Sequence, residues 1–317
     1  MKKIILLSLT LLFVQIASAQ DVMDPFKPNT DVPIKMNDVY DKQHHTNRAN
    51  VMLAPLREAD VMWSRKIWRE IDLRQTQNMP LYYPQAKSAK DRTLDRYNLF
   101  DVLYRAALGE DGRDGDRIRV FGNAEWDDEF QKMPMTKAEI EDEVLGPFAE
   151  VGNILETWDG LDSVDVNNNP VYDDPERKAK FDKRDVKKWL IKEQWFFDKQ
   201  RSVMDVRIIG LCPVVDKRAD GSTGELTGEE TRLFWFYFPE TRTVLKNSLA
   251  FNLAKNEAEN KTFEDIFMKR QFASTITKEG NVMDRSISDY MIGLDAVLEA
   301  QRIKENIFNI EHDLWEY

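Results

Sequence analysis

From Val203 to Gly210 the chain alternates. Met204, Val206 and Ile208 occupy one set of positions, and Asp205 and Arg207 fall on the other between Val203 and Ile209. This run sits inside an apolar block from Glu193 to Val215, and a second block, rich in aromatic residues, runs from Arg232 to Pro239. The polar stretch Asp216 to Glu230 separates them. Period-two patterning, a turn-rich gap and a second aromatic run predict a β-hairpin with a long loop over 193–239. The hairpin is a natural core and contains no obvious catalytic group.

Elsewhere the spacing is helical. Leu56, Trp63, Ile67 and Ile71, with Trp68 beside them and Arg65, Lys66, Arg69 and Glu70 between, predict a helix from Pro55 to about Gln77. Leu81-Tyr82-Tyr83-Pro84 predicts an aromatic turn bounded by prolines. Leu94, Tyr97, Phe100, Leu103, Tyr104 and Leu108 predict a second helix closed by Gly109, and Ile118 to Phe121 a short strand. Thr136-x-x-Glu139 is a capping box for a helix that stops at Gly146-Pro147. Lys180 to Ile191, Thr241 to Asn252 and Phe263 to Phe272 also read as helices. Ser286-x-x-Asp289 opens a helix over Ile287 to Leu298, and Ile303, Ile307, Ile310 and Leu314 continue as a second stripe. Strands clustered between helices predict an α+β fold: an antiparallel hairpin-based sheet packed with several helices, preceded by an extended N-terminal arm.

The N-terminus adds a compartment. Met1-Lys2-Lys3, the apolar run Ile4 to Ile16 and Ala17-Ser18-Ala19 read as a secretory signal peptide over 1–19, cut between Ala19 and Gln20. No cysteine follows the cut, so a lipid anchor is not expected. The arm spans 20–55, with Pro25, Pro28 and Pro33 and no periodicity from Gln20 to Arg48. A mainly helical lobe is expected over 56–165 and an α+β lobe over 166–317.

Charge and chemistry narrow the function. The formal net charge is −11, and losing Lys2 and Lys3 makes it more negative. That disfavours nucleic acid and anionic membrane surfaces as partners. No later run is long enough to span a membrane. Cys212 is the single cysteine, so there is no internal disulfide framework, and it reads as a small buried hydrophobe. The histidines are His44, His45 and His312; they form no zinc motif and offer no plausible triad. Asp165, Asn167, Asn169, Asp173 and Glu176 stand at EF-hand offsets and are a weak calcium candidate. Pro170 occupies the position that needs a glycine-like turn, so the stretch reads as a polar loop. DGRDGD, Asp111 to Asp116, is a weaker version of the same signal. Trp195 and Trp235 could stack on sugars, but in strands such residues are core. No cofactor, catalytic residue or firm metal site is expected.

Three blocks carry a family resemblance. MWSRKIWREIDLR (Met62 to Arg74) with MPLYYP (Met79 to Pro84), then IKEQWFFDKQRSVMDVRIIGLCPV (Ile191 to Val214), then LFWFYFPETR (Leu233 to Arg242) resemble the gliding-motility GldN/PorN family, in the family's order. The resemblance implies a non-enzymatic periplasmic component of the type IX secretion system of Bacteroidetes, at the inner face of the outer membrane. It further implies a large ring formed with the lipoprotein GldK (PorK) and contact with the motor protein GldM (PorM). For an assembly subunit, Trp63, Trp68, Tyr82 and Tyr83 are the candidate partner contacts, and the arm is a candidate docking element. The rival expectation is a stand-alone periplasmic ligand-binding or carbohydrate-active protein, with a cleft of convergent polar groups.

Overall fold

A computed structural model of the protein describes residues 49–85, 96–109, 117–122, 130, 133–145, 183–218, 226–252 and 261–313. The expected signal peptide, the expected arm as far as Arg48, DGRDGD, the candidate calcium stretch, His44 and His45 lie outside these residues. Among the described residues seven strands form one antiparallel sheet, β1 (Val61–Asp72), β2 (Val120–Phe121), β3 (Val186–Asp198), β4 (Val203–Arg218), β5 (Leu226–Arg232), β6 (Trp235–Tyr237) and β7 (Thr275–Glu279). Their order is β2-β6-β4-β3-β1-β7, with β5 also paired to β4. Among the same residues six helices accompany it: α1 (Met79–Tyr82), α2 (Leu99–Leu108), α3 (Lys137–Leu145), α4 (Phe238–Asn247), α5 (Phe263–Met268) and α6 (Leu294–Asp313). The fold is α+β, as the sequence predicts.

The helix expected after Pro55 is instead strand β1. Trp63, Ile67 and Ile71 are four apart, and a step of four returns to the same face of a strand as well as of a helix. The intervening residues decide between them. Met62, Ser64 and Lys66 are exposed while Val61, Trp63 and Arg65 are partly covered, which is the alternation of a strand. Lys180 to Ile191 is likewise corrected: a short 3₁₀ turn at Lys183–Asp185 leads directly into β3. The β-branched and aromatic residues Val186, Trp189 and Ile191 suit a strand covered on both faces.

The long apolar block Glu193 to Val215 folds back on itself. Asp198 pairs with Val203, and β3 and β4 form the longest ladder of the sheet. Asp198 accepts hydrogen bonds from the Gln200 and Arg201 amides and from the Arg201 guanidinium at 2.7 Å, and Ser202 takes φ of 52° to complete the turn. The expected second arm is divided: β5 pairs with β4 around Asp216, and β6 pairs with it around Leu211.

Several termini follow the sequence signals closely. Gly109, at φ of 74°, ends α2 in the left-handed region that favours glycine. Thr136 and Glu139 make both bonds of their capping box, Glu139 Oε2 accepting from the Thr136 amide and Thr136 Oγ1 from the Glu139 amide. The Ser286–Asp289 box is also formed, but it caps a 3₁₀ turn, and Gly293 at φ of 61° separates that turn from α6.

One face of the sheet carries the main core. Ile71, Trp189, Ile191, Leu211, Phe234 and Phe236 pack beneath α2, α4 and α5. The other face holds a smaller cluster of Trp68, Leu190, Cys212, Val214, Phe121 and Trp235. A third cluster, Ile67, Ile276, Ile287, Ile303 and Ile307, fastens α6 to the β1–β7 end.

Candidate assembly surface

Helix α6 covers that end of the sheet with one narrow stripe. Ile303 and Ile307 are buried, and Ala296 and Ala300 pack beside them. Burying two isoleucines contributes roughly 3–6 kcal/mol, modest for a helix of this length. Its opposite side and the segment leading into it carry exposed apolar residues: Val282, Met283, Ile292, Leu294 (73 %), Val297, Leu298 (58 %) and Phe308 (64 %). Exposed apolar residues gathered on one element mark a contact surface, whereas scattered ones do not. The segment is firmly shaped. Asn281 holds its turn through the Met283 and Arg285 amides, and Asp289 accepts from the Ser286 amide at 2.7 Å, which keeps its carboxyl below the usual range.

Beside α6 lies a cavity of about 840 Å³, lined by Trp68, Leu190, Trp235, Ile276, Val297 and Ala300 among others. Trp68 forms part of its wall. The ammonium groups of Lys278 and Lys192 sit over the Trp68 ring at 4.5 and 5.2 Å, and Lys278 is paired with Asp284 at 2.7 Å. Basic and acidic residues line the rim in equal number: Arg69, Arg232, Lys278 and Lys304 against Glu70, Glu230, Asp284 and Asp289. The cavity therefore has an aromatic wall and no dominant charge.

A second apolar margin is the strap that precedes β1. Val51, Met52 and Leu53 are exposed, while their backbone is pinned. Arg242 donates to the Val51 carbonyl and pairs with Glu264 at 2.8 Å, and Arg207 donates to the Ala54 carbonyl. Among the described residues, the buried polar side-chain atoms without a hydrogen-bond partner are Asn50 Oδ1, Arg207 Nε, Arg242 Nε, Asn247 Oδ1 and Glu264 Oε2. Four of these five belong to the strap or to the residues that pin it.

The four aromatic contact candidates are placed differently from one another. Trp63 and Trp68 point to opposite faces of β1, as five-residue spacing requires on a strand. Trp63 is half-buried against the Ile67 cluster, and Trp68 is 8 % exposed. Tyr82 is half-buried, its hydroxyl donating to the Arg184 carbonyl at 3.2 Å, with its ring edge-on to Tyr83 at 5.0 Å. Tyr83, 41 % exposed, also meets the exposed Phe251 ring at 6.2 Å. Trp235 is buried in the sheet, and Trp195 is partly buried. His312 is exposed near the end of α6, its ring tilted against Phe308 at 6.4 Å.

The sequence reading missed a buried charge cluster and the outer face of α6. Glu193 is fully buried and takes Arg69 on one side and Arg270 on the other, the latter at 2.7 Å. The Trp195 indole donates to it at 3.0 Å, and both guanidinium groups lie over the Trp195 ring at 5.9 and 5.6 Å. A glutamate within an otherwise apolar strand was the available signal. Leu294, Leu298 and Phe308 were legible as apolar residues off the Ile303 stripe.

Among the described residues no group of three or more His, Cys, Asp or Glu side chains is placed to hold a metal ion. No helix among them is long and apolar enough to cross a membrane. No curated protein matches the sequence. The family model described as gliding motility associated protein GldN matches residues 56–316, and the chain belongs to that family.

Proposed function

We propose that the chain is a non-enzymatic periplasmic structural subunit of the type IX secretion and gliding-motility machinery. In this reading it is exported by its signal peptide and forms a ring complex with the outer-membrane lipoprotein GldK (PorK). It also contacts the motor protein GldM (PorM). The supporting observation is a gliding-motility family chain that exposes apolar side chains along α6 and its approach, on a well-packed framework. Such a surface is what an assembly subunit needs and what an isolated soluble protein avoids.

The test is extraction of the native complex with mild detergent. The expected result is co-purification with the lipoprotein in very large particles visible by negative stain. Deleting residues 20–48 removes the proposed docking arm and is expected to abolish that association. Recovery of the chain only as a free monomer would defeat the reading.

A ligand-binding protein is the second reading, favoured by the cavity beside Trp68. It predicts saturable quenching of tryptophan fluorescence by a small sugar or peptide, with no large particle formed.

A further inference from the structure

The outer side of α6 has an internal symmetry. Its inner stripe, Ala296, Ala300, Ile303, Ile307 and Ile310, faces the Ile67 cluster or its margin. At about 100° per residue, Leu294, Leu298, Gln301, Glu305, Phe308 and His312 fall on the opposite side of the helix. All six are exposed. They are spaced alternately four and three apart, which is the seam spacing of paired helices. The seam is also palindromic about Ile303. An antiparallel copy laid along it brings Leu298 against Phe308, Leu294 against His312 and Gln301 against Glu305, each pairing occurring twice.

We propose that a second copy of this chain occupies the outer face of α6, as an antiparallel two-fold pair of α6 helices. Area supports a copy rather than a small ligand. Ile292, Leu294, Val297, Leu298 and Phe308 present on the order of 600 Å² of apolar surface, the upper end for the largest patch on a monomer. Tyr290, whose hydroxyl reaches Glu299 of α6, extends this patch toward the roughly 800 Å² that each partner gives a stable interface.

The polar centre of the seam supplies register. Gln301 Nε2 donates to Glu305 Oε1 within one copy at 3.0 Å, and the same donor and acceptor face each other across the two-fold. Polar residues within a helix seam specify alignment at some cost in stability, and here two symmetry-related Gln301–Glu305 pairs lie between the Leu298–Phe308 contacts. Arg302 is already neutralised by Glu299 of its own helix, so it does not oppose the pairing. A palindromic seam favours an isologous contact, in which one patch meets itself and closes at two copies. This inference rests on the reading of the chain as an assembly subunit and adds to it a two-fold contact between subunits.

Cysteine cross-linking of the full mature chain tests the arrangement, because Cys212 is buried and is the only native thiol. The expected result is a disulfide-linked dimer when Leu298→Cys and Phe308→Cys chains are mixed and oxidised, and none from either variant alone. The unmodified chain should sediment as a dimer at micromolar concentration. Leu298→Asp with Phe308→Asp should shift the monomer–dimer midpoint by roughly a hundredfold or more while leaving far-UV circular dichroism unchanged. Self-linking of the Leu298→Cys chain alone, or a monomer at tens of micromolar, would overturn the pairing. If the monomer still co-purifies with the lipoprotein, only the two-fold contact fails and the assembly reading stands.

Discussion

Replacing Glu193 by Gln removes a buried negative charge on which the guanidinium groups of Arg69 and Arg270 converge. Glu193 is completely buried, and Arg69 is nearly so. Its Oε1 accepts from Arg69 and from the Trp195 indole, and its Oε2 accepts from Arg270 at 2.7 Å. Glutamine keeps one oxygen and turns an amide NH₂ toward one of these donors. Two positive groups are then left with no counter-charge between them. Breaking a buried ion pair by removing one partner costs about 3–5 kcal/mol. For a unit of this size that corresponds to a fall in Tm on the order of 10 °C. Urea unfolding at neutral pH, followed by tryptophan fluorescence, measures it directly, since Trp195 lies within the cluster. The Arg119–Glu240 pair provides the contrast, with its arginine about half exposed. Glu240→Gln should cost less than about 1 kcal/mol because water screens that pair. A Glu193→Gln protein within about 1 kcal/mol of wild type would refute the reading of Glu193 as a buried counter-charge that Arg69 and Arg270 need.

Three other outcomes are expected. Asn78→Ala should lose roughly 2–4 kcal/mol in the same assay, because the buried amide bridges the Asp72 carbonyl to both the carbonyl and the N–H of Ala273; hydrogen exchange should show lost protection at Ala273. Cys212, whose thiol burial pushes to higher pKa, should resist maleimide in the native protein and react once urea unfolds it. Asp198 is held below the usual carboxylate range, chiefly by its bond to Arg201, so its contribution is complete above the unfolded value near 4 and disappears as pH falls through the depressed one. Asp198→Asn should therefore lower the urea midpoint at pH 7 but much less at pH 2.

Local signals were the legible part of this chain. Gly109, the Thr136 box and the Ser286 box act within one turn of backbone, so residue identity and spacing suffice to read them. The period-two run from Val203 was equally clear, because alternation has one structural meaning when it is unbroken. The spacing of Trp63, Ile67 and Ile71 was not, since it suits both regular structures. Which one forms depends on whether β3 and β7 are there to pair with β1. Strand β7 itself went unread, being five residues with a single buried isoleucine.

The sequence by itself determined the α+β class, the GldN family, the glycine end of α2, the Thr136 cap of α3 and the burial of Cys212. These rest on periodicity, capping chemistry and long sequence blocks in the family's order, which need no knowledge of distant neighbours. Only the tertiary structure decided that Glu193 would gather Arg69 and Arg270 from far along the chain, and that one face of α6 would be used while the other stayed open. Both depend on which surfaces meet. An amphipathic stripe shows that a helix has something to bury, but the partner that covers it, and the face left uncovered, are set by packing between elements remote in sequence.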